Sequence, residues 1–205
     1  MTPIFGRLIS KISSGVKQDS AKTCRYLALF RKTKKKENLS PYIILRATKD
    51  DHLKILKLMH ECYFVDEPKC YSLGVNHNAI LDEQTMSSMS QGMTLVARCK
   101  YDGSMVGGCI NMSAHSWDAD MTEKFACSVR CPKVRQLLLF HAQSQRLPDV
   151  WKKYDVNKVF EMSMLFVHKL HRKRGLGYRL VAESIDLGAD CGYKVVRCDA
   201  SNAFA

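Results

Sequence analysis

From residue 42 onward, apolar and polar positions fall into two regular spacings. YIILRA at 42–47 is short, apolar and β-branched, and it predicts a strand. Leu53, Ile55, Leu56, Leu58 and Met59 then fall on helical spacing. Asp50 or Asp51 can cap that helix, which is expected to run to about Phe64 with Pro68 fixing its end. A second amphipathic helix is expected over 79–89. MTLVARC at 93–99 and VGGCINM at 106–112 are apolar runs joined by Tyr101-Asp102-Gly103, a strong hairpin signal. A polar stretch leads to about Pro132. The next helix carries Val134, Leu137, Leu138, Leu139 and Phe140 and breaks at Leu147-Pro148. A strand over 158–167, a helix over 177–189 and a strand over 194–198 complete the pattern. The order β-α-α-β-β-α-β-α-β, without internal repeat, is that of an α/β domain on a mixed sheet.

Residues 1–40 do not share this pattern. They form a leader ahead of a domain at 41–205. Residues 1–36 hold ten Lys or Arg and one acid, Asp19. The net charge of +12 is therefore concentrated in the leader, and the remainder carries 22 basic and 19 acidic residues. That distribution argues against a nucleic-acid-binding domain. The leader reads as a basic disordered tail, with a mitochondrial presequence as the alternative. No apolar run is long enough to span a bilayer, so a soluble protein is expected; a cytoplasmic location and a monomer are further expectations. Nine cysteines, an odd number without CxxC or a signal peptide, point to a reducing compartment, and no metal site is expected from the lone Cys127/Cys131 pair.

The most informative stretch is 160–196, a strand, a basic glycine-bearing turn, a helix and a strand. Gly175 and Gly177 allow close backbone approach, and Arg172, Lys173, Arg174 and Arg179 surround the turn with positive charge. A helix opening there aims unpaired N–H groups and the positive dipole end at one point, which suits a pyrophosphate. Neither GxxxxGK[ST] nor GxGxxG is present. Arg172, Gly175 and Gly177 instead spell Arg-x-x-Gly-x-Gly, which resembles the acetyl-CoA signature of the GNAT N-acetyltransferases.

A second element sharpens the resemblance. Tyr63-Phe64-Val65-Asp66-Glu67-Pro68 looks like the Phe/Tyr-x-Asp-Glu-Pro element of the invertebrate-type arylalkylamine (dopamine) N-acetyltransferases. The resemblance implies a GNAT fold, a mixed central sheet flanked by helices. It also implies acetyl-CoA as donor, a small arylalkylamine as acceptor, and Glu67 as general base. The chemistry wants such a group. An alkylamine with a pKa near 10 is protonated at neutral pH, and only the free amine attacks a thioester. From the residues alone, Glu67 reads equally as a solvated acid at a helix end.

The resemblance further implies that backbone groups of Leu165, Phe166 and Val167 hold the pantetheine arm. Residues Arg172, Lys173, Arg174, Gly175, Leu176 and Gly177 would hold the phosphates. In the family the final stretch carries two hydroxyl residues four apart. Ser201 matches the first, while Ala205 stands in place of the second. A GNAT domain continues with another helix and two more strands, so the resemblance implies a C-terminally truncated domain. A non-catalytic module, or a GNAT acting on a different amine or a protein, is the alternative. Direct attack by the amine requires no cysteine nucleophile. His60, His168 and His171 are set aside as surface or core residues, Trp117 and Trp151 as packing, and Ser87, Ser88 and Ser90 as a polar face.

Overall fold

The computed structural model describes residues 40–147 and 149–201. The leader, Pro148 and the last four residues, including Ala205, lie outside the described residues.

Five strands form one sheet in the order β1-β2-β3-β4-β5: β1 Tyr42–Arg46, β2 Leu95–Cys99, β3 Met105–Ala114, β4 Val159–Val167 and β5 Val196–Cys198. The first four are antiparallel to their neighbours, and β5 runs parallel to β4. The Asp-Gly hairpin between β2 and β3 forms as expected. The helices are α1 His52–Cys62, α2 Pro68–Leu73, α3 Ala79–Ser90, α4 Asp118–Ser128, α5 Pro132–Arg146, α6 Val150–Tyr154 and α7 Leu176–Asp190.

Helix ends follow local chemistry. Thr48 and Asp51 form a capping box ahead of α1, with the Thr48 N–H and hydroxyl both donating to Asp51 Oδ2. The Asn78 side chain caps α3 by accepting from the Ile80 N–H at 3.0 Å. Three helices escape the sequence pattern. Pro68 does not merely end a helix; it stands at the first position of α2, where proline's missing N–H costs nothing. The polar stretch before Pro132 contains α4, whose first turn carries Asp118 and Asp120. Helix α6 is only five residues long.

The sheet is covered on both faces. On one side Tyr42, Leu95, Ala97, Cys109, Phe160 and Met162 pack with Leu176 and Leu180 of α7. On the other, Val96, Ile110 and Phe166 pack with Ile55, Met59, Met89 and Leu138 from α1, α3 and α5. The register between β3 and β4 shifts at Ser163: Ile110 faces Met164 and Asn111 faces Met162. Ser163 is the extra residue of a bulge. Phe160 and Met162 therefore point at α7, whereas beyond the bulge Leu165 and Val167 do so and Met164 and Phe166 point away.

Two glycines let β3 approach its neighbours. A Cβ on Gly107 would lie 2.7 Å from the Phe166 carbonyl oxygen, and one on Gly108 would lie 2.8 Å from that of Leu95. Backbone cannot yield there as a flexible side chain would. Gly107→Ala is expected to cost about 2–3 kcal/mol of stability. Thermal denaturation should show a midpoint lowered by roughly 5–10 °C, and a shift below 2 °C would show that β3 and β4 are less rigidly apposed.

Candidate active site

Strand β4 is held on both sides only over Phe160, Glu161 and Met162, which pair with Val196, Arg197 and Cys198. From residue 163 onward, β5 offers no partner among the described residues. Antiparallel pairing directs successive backbone groups to opposite edges. The Phe166 carbonyl faces Gly107 of β3, and the His168 N–H donates to Val106 at 2.8 Å. Leu165 and Val167 therefore present their backbone groups to the open edge, while Phe166 serves by packing. This open edge leads into the basic turn.

In that turn Lys173 and Gly175 both have positive φ, 60° and 74°, and Gly175 caps α7 in the left-handed conformation. Lys173 holds a backbone conformation that side-chain-bearing residues seldom adopt. Within α7 the Arg179 N–H bonds the Gly175 carbonyl at 3.1 Å. The N–H groups of Leu176, Gly177 and Tyr178 precede it and have no intrahelical acceptor by helix geometry. With Lys173 and Arg174 beside them, this arrangement fits the phosphates of a nucleotide-bearing donor.

Arg172 is placed differently from the other signature residues. Its Nε donates to the Val167 carbonyl at 2.9 Å, and its Nη2 to the Cys62 carbonyl at 3.0 Å and to Asp66 Oδ2 at 2.8 Å. Lys169 stands 3.5 Å from the other Asp66 oxygen. Burial alone would raise the Asp66 pKa, but the Arg172 bond and the charges of Arg172 and Lys169 lower it below the usual range. The guanidinium thus ties the cofactor turn to the segment between α1 and α2.

Glu67 sits at that segment's end, as the residue before α2, and is 7% exposed. Its N–H bonds the Tyr63 carbonyl at 2.8 Å. The side chain is turned into a cavity of about 510 Å³. Ser201 Oγ donates to Glu67 Oε2 at 2.9 Å. The two catalytic candidates, 134 residues apart in sequence, are thus in contact. Glu67 Oε1 is buried without a hydrogen bond, with Lys69 Nζ at 3.6 Å. Burial, and secondarily the Glu67 charge, pushes the neighbouring Tyr63 phenol up, so it stays neutral.

The cavity also receives side chains that sequence reasoning passed over: Lys69, His141, Gln145, Asp118 and Ser163. His141 and Gln145 follow Leu137 and Leu138 on one face of α5, a helical spacing that signals a shared wall. Burial pushes the His141 imidazole down to about 4, leaving it neutral at pH 7. Ser87 and Ser88 line the cavity from α3. Neither tryptophan lines it. Trp151 is buried and donates to the Ala114 carbonyl at 3.3 Å, and the exposed Trp117 stacks on cavity-lining His115 at 4.7 Å. His171 accompanies the turn through a 3.0 Å contact with the Tyr42 hydroxyl.

Beside this cavity lies Glu161 of β4, 4% exposed. Burial raises its pKa to about 7; the Arg197 charge opposes the shift, and those of Asp199 and Asp118 add to it.

A family model described as the acetyltransferase (GNAT) family matches residues 53–205. No curated protein matches the sequence. Among solved structures, a mosquito arylalkylamine N-acetyltransferase-like 5b superposes with a TM-score of 0.76 at 24% identity, covering 80% of this chain and 78% of that one. Arylalkylamine N-acetyltransferase 2 from Aedes aegypti gives 0.75 at 19% identity over the same shares. A Drosophila melanogaster polyamine N-acetyltransferase that forms N-acetylagmatine gives 0.72 at 18%, again over 80% and 78%. These likenesses establish the fold.

The raised Glu161 pKa carries a stability consequence. The unfolded carboxyl loses its proton near 4.5 and the folded one near 7. The folded state binds more protons between those values, so stability falls as pH rises through that window. At pH 8 the penalty is about 3 kcal/mol. Glu161→Gln should therefore raise the thermal midpoint by several degrees at pH 8, with the gain largely gone by pH 5. An equal gain at both pH values would show that the carboxyl titrates normally.

Proposed function

The chain belongs to the acetyltransferase (GNAT) family, and we propose that it transfers the acetyl group of acetyl-CoA to the primary amine of a small arylalkylamine, with Glu67 as general base. The observation that carries this reading is Glu67 itself: a buried carboxylate, hydrogen-bonded to Ser201, turned into a cavity at the end of the segment that Arg172 clasps to the cofactor turn.

Acetyl-CoA, the family's co-substrate, supplies the thioester carbonyl that the amine attacks. Leu165 offers its backbone groups and Val167 its N–H along the open edge of β4 to its pantetheine arm, the Val167 carbonyl being held by Arg172, and Leu176 and Gly177 offer N–H groups to its phosphates, flanked by Lys173 and Arg174. Phe166 backs this edge through packing. Glu67 Oε1, which accepts no hydrogen bond and has Lys69 Nζ at 3.6 Å, accepts the ammonium proton, and the Ser201 hydroxyl fixes the carboxylate through its other oxygen. Phe64, Met112, Leu137, Leu138 and Met164 supply an apolar surround for a ring. Such a surround weakens competing hydration of the carboxylate. No cysteine is required: Cys62, Cys70, Cys99 and Cys109 are buried. Cys70 lines the cavity, and burial raises its thiol pKa to about 11.

Two measurements test this. Calorimetry with acetyl-CoA should give micromolar binding to the full chain, weakened about tenfold or more by Arg172→Glu, which removes the clasp and reverses a charge beside the turn. Failure of a folded wild-type chain to bind would sink the enzymatic reading. With tyramine as acceptor, Glu67→Ala should lower kcat about 10²–10³-fold while acetyl-CoA binding is kept. An undiminished kcat in Glu67→Ala would assign the base elsewhere.

A further inference from the structure

Two buried acceptors beside the cavity have no donor. Gln145, in the last turn of α5, lines the cavity and is 4% exposed, and its Oε1 has no hydrogen-bond partner. Glu161, also 4% exposed, leaves Oε2 unpartnered. They belong to one neighbourhood. Arg197 stands opposite Glu161 in the β4–β5 ladder, and its Nη1 donates to the Gln145 main-chain carbonyl at 2.9 Å. The guanidinium is otherwise committed, with Nη2 on the Ser144 carbonyl at 2.8 Å and both Nε and Nη2 on Asp199. The Glu161 carboxyl lies in the field of Asp118 and Lys69, which line the cavity, and is paired across β3 with cavity-lining Met112.

An unmet buried acceptor is costly, and proteins seldom keep one without a water, an ion or a ligand to meet it. Keeping a carboxyl there, where burial works against its charge, adds to that cost. Such expense is characteristic of functional sites. The rest of the lining is amphiphilic in the matching sense. Glu67 serves one polar group, Leu137, Leu138, Met112 and Met164 an apolar middle, and Gln145 a second polar group, with the buried Glu161 behind the lining.

We infer that Gln145 and Glu161 form a hydrogen-bond-accepting subsite that holds the end of the acceptor amine remote from the reacting nitrogen, and that it selects amines bearing a donor there, a hydroxyl or a second ammonium. The inference rests on the reading of the cavity as the amine site. Neutral His141, on the same face of α5 one turn before Gln145, completes the polar wall.

The test uses two acceptor pairs that differ only in the remote donor: 2-phenylethylamine against tyramine, and hexylamine against 1,6-diaminohexane. Calorimetric Kd and kcat/KM with acetyl-CoA are read for the full chain, Gln145→Met and Glu161→Gln. The donor-bearing member of at least one pair should be favoured about tenfold. The pair that responds identifies the donor as hydroxyl or ammonium. Gln145→Met should bring the ratio to about one through the KM of the donor-bearing amine. Glu161→Gln should do so for the diamine pair. Because Glu161→Gln is expected to stabilise the fold, a lost preference in that variant is not a folding defect. Ratios near one in the wild type, as expected if only water meets these acceptors, overturn the subsite, and so do ratios that survive in both variants. A binding preference without acetyl transfer keeps the subsite and sinks the small-amine transferase reading; transfer without preference does the reverse.

Discussion

Strand β4 leaves its parallel partner after Met162, and the functional architecture depends on that parting. Three residues of parallel pairing anchor β5 to the sheet. The next residue, Ser163, is the extra member of a bulge against β3. The bulge exchanges the two faces of the strand, so Met164 and Phe166 join the core beneath α1, α3 and α5. Where the pairing with β5 ends, Leu165 and Val167 are left facing an open edge among the described residues, and the same strand delivers the chain into the basic turn. One irregularity therefore supplies an edge for an extended ligand, a wall of the cavity and an approach to the phosphate-binding amides. A regular strand paired along its full length would bury that edge in the sheet.

Arg172 joins the two halves that this divergence creates. Its contacts reach Val167 on one side and Cys62 and Asp66 on the other. Both partners in the ion pair are more than a third exposed, so its Coulomb energy is modest. The contribution is geometric. The segment 63–67 carries Tyr63, Phe64 and Glu67 into the cavity, and it is pinned by a residue of the turn that follows β4. Order at the donor site and order at the base are thereby linked through one side chain.

The strands, the Asp-Gly hairpin and the Arg-x-x-Gly-x-Gly turn were legible because each is a local pattern with a local cause. Glu67 was singled out through its motif, and the structure places the Ser201 hydroxyl 2.9 Å from its carboxylate. Helix α2 was not, because Pro68 suits the first turn of a helix as well as it ends one. Helix α4 was hidden by its polarity; only Asp118 and Asp120 in its first turn mark it. Glu161 drew no separate reading within the strand expected over 158–167, since nothing in FEMSMLFV tells which alternate positions face a cavity. Arg172 carried the signature, yet its guanidinium partners lie 106 and 110 residues away, at Asp66 and Cys62, beyond any spacing rule.

Polar groups elsewhere in the core are of both kinds: Thr94 Oγ1 and His60 Nδ1, away from the cavity, make no hydrogen bond, whereas others are met by the protein. Asn111 is fully buried and donates to the Met93 carbonyl and to Ser184 Oγ, each at 3.0 Å. Thr85, also fully buried, donates to the Leu81 carbonyl at 2.7 Å. These residues are inward-facing and satisfied by the protein itself. Glu67 Oε1, Gln145 Oε1 and Glu161 Oε2 are inward-facing and unsatisfied, and they gather on or beside one cavity. All three are acceptors. An amine donates through its nitrogen, and an amine with a hydroxyl or second ammonium donates at both ends. The unmet chemistry of the cavity therefore has the same sign as the substrate class that the acetyl-transfer reading requires.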